Sequence, residues 1–120
     1  MSPVTFEPAE AHEVVRALAA VAAADGAILS REESVLEGFA IAHGIGGHVW
    51  LAAPLDELAL ARAVTPPEKR REVVRLCLEM AHSDREYAAS EQQMIARIAR
   101  ALEIGEAELR TLTAETKRPR

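Results

Sequence analysis

The sequence predicts an all-α protein, a compact bundle of about five to seven helices built from two pseudo-symmetric helix–acidic loop–helix repeats. Three observations carry that prediction. Apolar residues recur three and four positions apart and never alternate as they would along a half-buried strand. Alanine and leucine dominate while aromatics amount to one Trp, one Tyr and two Phe, so the core is aliphatic and slim helices can approach closely. The third is an internal duplication at an offset of 59 residues, which sets Val14 on Val73, Leu18 on Cys77, Val21 on Met80 and Ala22 on Ala81.

The elements follow in order. A first helix starts near Pro8, where proline costs little because first-turn amides lack intrahelical partners. Val14, Ala17, Leu18, Val21 and Ala22 give it one apolar stripe, and Asp25-Gly26 stops it. The second starts at Ser30, which forms a capping box with Glu33; it turns Val35, Leu36, Phe39 and Ala40 inward and ends at Gly44-Ile45-Gly46-Gly47. A short helix carrying Leu55, Leu58 and Leu60 is expected from Pro54 to Ala63, with Trp50 in a preceding turn. Thr65-Pro66-Pro67-Glu68 is a capping pattern that opens a long helix with Val73, Leu76, Cys77 and Met80 inward. Ser90-Glu91-Gln92-Gln93 caps the next, which buries Met94, Ile95, Ile98 and Leu102. Gly105 separates it from a last short helix around Leu109 and Leu112, and a basic tail over 116–120 is expected to fray.

The duplication extends beyond the core. Asp25 falls on Asp84, Glu32 on Glu91, Leu36 on Ile95, Phe39 on Ile98, and Ile45-Gly46 on Ile104-Gly105. Neither helix pair could bury its apolar face alone, so the halves, approximately 8–47 and 66–106, are expected to pack around one core as a single domain over 1–120.

Composition narrows the function. A chain of 120 residues buries roughly two-thirds of its unfolded surface and needs no staple. A formal charge of −5 argues against a general nucleic-acid binder, and no basic stretch is interleaved with stacking aromatics. The single cysteine, Cys77, excludes an internal disulfide and suits a reducing compartment. No apolar run approaches the roughly 20 residues of a membrane span, and the N-terminus lacks an export signal, so a cytoplasmic location is expected.

Each acidic loop presents an Asp, six intervening residues and a Glu: Asp25 to Glu32, and Asp84 to Glu91. The Glu falls in the first turn of a helix, where unpaired amides and the dipole favour a carboxylate by about 0.3–1 kcal/mol. Capping alone therefore explains the pattern. The functional alternative brings the four acids together around a hard cation, Ca²⁺ or Mg²⁺, with Glu33 and His82 as auxiliary ligands. An EF-hand is excluded because the loop middle is Ala27-Ile28-Leu29. Arg85 stands where the first loop has Gly26 and could neutralise the second cluster internally.

The remaining candidates carry less. Cys77 lies on a core stripe, and His12, His43 and His48 have no spacing that assembles a zinc site. Lys69, Arg70, Arg71 and Arg75 form the one basic cluster, either a solvated face offset by Glu68 and Glu72 or a docking surface for an acidic partner or the anionic membrane face. Ser30 and Ser90 read as caps, no nucleophile elbow or phosphate-cradling loop is present, and Gly44-Ile45-Gly46-Gly47 follows a helix and lacks a lysine, so no enzyme activity is expected.

The loop Ala-Ala-Asp-Gly-x-x-x-Ser-x-Glu-Glu, repeated in weaker form over 81–92, resembles the TerB-like family of tellurite resistance proteins. The likeness runs from Val14 to Leu112, through the Leu-Glu-Ile-Gly-Glu-Ala-Glu-Leu ending, and the domain type is also similar to the N-terminal part of membrane-anchored J-domain co-chaperones. The resemblance implies an all-helical fold and, for some members, a divalent metal held at Asp25, Glu32, Asp84 and Glu91. His82-Ser83-Asp84-Arg85 departs from the Ala-Asp-Gly context and puts the second site in doubt. Two functions stay open: a metal-binding component of stress or tellurite resistance, and a metal-free module docking on a protein partner, with a membrane-associated or chaperone protein and a second copy of the chain both in view.

Overall fold

The computed structural model describes residues 5–24, 30–45, 55–82 and 89–117. Among them run six helices: α1 (Pro8–Ala22), α2 (Ser30–Ala42), α3 (Glu57–Ala63), α4 (Pro67–His82), α5 (Ala89–Ala101) and α6 (Glu106–Lys117). The all-α class and the helix count are as the sequence predicts.

The duplication is visible in the backbone. Both ends of α2 recur in α5 at the 59-residue offset, and Pro8 at the head of α1 recurs as Pro67 at the head of α4. The terminations repeat bond for bond. Gly44 has φ 73° and Glu103, its mate, φ 60°. Ile45 N–H donates to Ala40 O and Ile104 N–H to Ala99 O, both at 2.8 Å, while Gly44 N–H reaches Ile41 O at 3.2 Å and Glu103 N–H reaches Arg100 O at 3.1 Å. This is the Schellman motif, in which a left-handed residue lets two amides satisfy carbonyls that the helix leaves open.

Packing centres on α1, which contacts α2, α3, α4 and α5. Its alanines explain why one helix can serve four neighbours: Ala11, Ala17 and Ala22 are fully buried beside Val14, Val15 and Val21. On the other side α4 packs against α1, α5 and α6, burying Val73, Val74, Cys77 and Leu78. Ile95, Ile98 and Leu102 complete the core from α5. Burial pushes the Cys77 thiol up to about 12, so it is an inert core residue, as its place on the stripe predicts.

Some local expectations need correction. The short helix starts at Glu57 rather than at Pro54, because Asp56 caps it: Oδ1 accepts from Leu58 N–H at 3.0 Å and from Ala59 N–H at 3.2 Å. Leu58 on this helix is exposed and Leu60 is buried, with Val64, also buried, just past its end. At the head of α4 it is Pro66 whose carbonyl accepts from Lys69 and Arg70, both at 3.0 Å, so Thr65 stands one residue before the cap. Ser90 lies inside the first turn of α5 instead of capping it, since that helix opens at Ala89. Val35 faces outward, 51% exposed, where the apolar pattern of α2 predicts burial. The Ser30 side chain, Trp50, Pro54 and residues 118–120 lie outside the described residues.

Candidate functional site

Three acids among the described residues are buried, and all three occupy the third position of a helix: Glu10 in α1, Glu32 in α2 and Glu91 in α5. At that position a glutamate can reach back to the amide before the helix, the second half of a capping box. Glu10 shows how such a group is satisfied. Its Oε1 accepts from Glu7 N–H at 2.7 Å and from Lys69 Nζ at 2.8 Å. Burial by itself would raise the Glu10 pKa, yet the Lys69 ammonium and the Glu7 amide outweigh it and hold the carboxyl below its ordinary value. That stabilisation is present above the ordinary carboxylate range and fades as pH falls through the lowered value.

Lys69 is the repeat mate of Glu10, so this pair joins equivalent positions of the two halves. Where a duplicated fold brings a residue against its own mate, identical acids would repel; lysine in one copy turns the repulsion into an ion pair.

Glu32 and Glu91 are buried more deeply, at 2% and 1% exposure. They are withdrawn into the helix starts because each shares a helix face with a fully buried residue four places on, Leu36 and Ile95. Of the other predicted ligands, Glu33 is exposed on α2, and Asp25, Asp84 and the His82 side chain lie outside the described residues. Among the described residues, no three or more of His, Cys, Asp and Glu are grouped to hold a metal ion.

The basic cluster is engaged within the molecule. Lys69 pairs with Glu10. Arg70 is a clamp: Nε donates to Val64 O at 2.7 Å, one terminal nitrogen to Ala61 O at 2.9 Å and the other to Leu102 O at 3.2 Å. It thereby ties the carbonyl ends of α3 and α5 to the head of α4, with its positive charge where both helix dipoles are negative. Arg71 meets Glu108 of α6 at 3.6 Å. Arg75 pairs with Glu72 and, at 2.6 Å, with Glu79; hydrogen bonding to Glu72 leads the effects that push its pKa still higher. Charge runs in a sequence do not show which carbonyls a cation will meet, and that is why the clamp was not foreseen.

Sequence reasoning also missed an apolar groove of about 260 Å³ between α2 and α4, lined by Leu18, Val35, Phe39, Leu76, Glu79 and Met80. Apart from Glu79, its residues are ones assigned to the core by periodicity. Only the exposure of Val35 separates a groove from a closed interior.

Residues 57–114, from the start of α3 to near the end of α6, match the family model described as tellurite resistance protein TerB. The matched segment contains Asp84 and Glu91, while the first loop, with Asp25 and Glu32, lies outside it. The chain has a significant match to no curated protein and to no solved structure. The expected likeness to J-domain co-chaperones finds no support in these comparisons. Among the described residues no helix is long and apolar enough to cross a membrane.

Proposed function

We propose that this chain is a TerB-like, non-enzymatic domain that takes up a divalent cation, Ca²⁺ or Mg²⁺, at its loop–helix junctions, as part of a response to tellurite or related stress. The observation that supports the reading is the burial of two carboxylates, Glu32 and Glu91, at equivalent helix starts that directly follow the two acidic loops. A charge withdrawn from water needs strong compensation, and helix amides supply part of it. A hard cation bound by oxygen donors favours the ionised form. Glu32 with Asp25, and Glu91 with Asp84, are the residues that would hold it, with Glu33 as auxiliary in the first loop and His82 beside the second. The donor set is all hard oxygen apart from His82, which fits these ions and not zinc.

Glutamine separates ligation from capping, because it keeps the reach-back hydrogen bond of a capping box and removes the charge. Calorimetric titration of chelator-stripped protein should give saturable Ca²⁺ binding. Glu32→Gln and Glu91→Gln should each weaken it by about tenfold or more, with helical content retained. A flat titration in millimolar Ca²⁺ and Mg²⁺, or unchanged affinity in both variants, would leave these glutamates as caps alone.

A further inference from the structure

We draw no further inference here: the strongest candidate, the apolar groove between α2 and α4 with Val35 exposed on its wall, carries none because nothing in the structure shows what covers it.

Discussion

Gly44 and Glu103 hold the same left-handed backbone conformation in the two halves, one with the residue suited to it and one without. An L side chain there crowds the carbonyl, whereas glycine adopts it freely. No atom would lie within 4 Å of a Cβ built at Gly44, so the penalty of adding one is conformational and not steric. Gly44→Ala should therefore cost about 1 kcal/mol, and Glu103→Gly should add about 0.5–1 kcal/mol of stability, both read from urea unfolding. The Glu103 side chain is 84% exposed, so little packing is lost with it. Equal effects of the same sign in the two variants would contradict the shared motif. The paired helix ends were legible in the sequence as Ile45-Gly46 over Ile104-Gly105, but the left-handed residue is the one before each isoleucine. In the second half the glycine that drew attention, Gly105, and the residue that holds the conformation, Glu103, are different, because a Schellman ending is set by hydrogen bonding that letters do not display.

At the scale of elements, the helices were readable where a stripe and a stop signal coincide and less so where a cap decides. Leu18, Leu36 and Ile95 announced their faces by spacing, whereas Asp56 was passed over as a start because Pro54 stood ahead of it. The deep burial of Glu32 and Glu91 was also hidden, since a first-turn glutamate looks the same in sequence whether it turns outward or back along the chain. The clamp at Arg70 belongs to this scale because it joins three elements. Its side chain is 17% exposed and gives three hydrogen bonds to carbonyls of Ala61, Val64 and Leu102. Arg70→Met should lose about 2–4 kcal/mol in urea unfolding, and Arg70→Lys should recover less than half, because an ammonium cannot span the three acceptors that the planar fork reaches. Full rescue by lysine would show that charge at the dipole ends matters more than the hydrogen bonds.

Across the whole molecule, duplication explains both the strength and the irregularity of the fold. Helices α1 and α4 pack together as mates, and Glu10 against Lys69 marks where the halves meet. Each later departure from symmetry has a local cause: lysine opposite glutamate at that meeting point, Glu103 in place of glycine. Glu32 and Glu91 keep equivalent places in the two halves, buried at 2% and 1% exposure. If a cation completes them, it stabilises the folded chain by mass action. The direct measurement is the melting temperature of chelator-stripped protein with and without Ca²⁺ at about a hundred times its dissociation constant. Cation binding predicts about 2.7 kcal/mol of added stability and a rise of about 10 °C, lost when Glu32 and Glu91 are both changed to glutamine. Superimposable melting curves for the wild-type chain at millimolar Ca²⁺ and Mg²⁺ would contradict it.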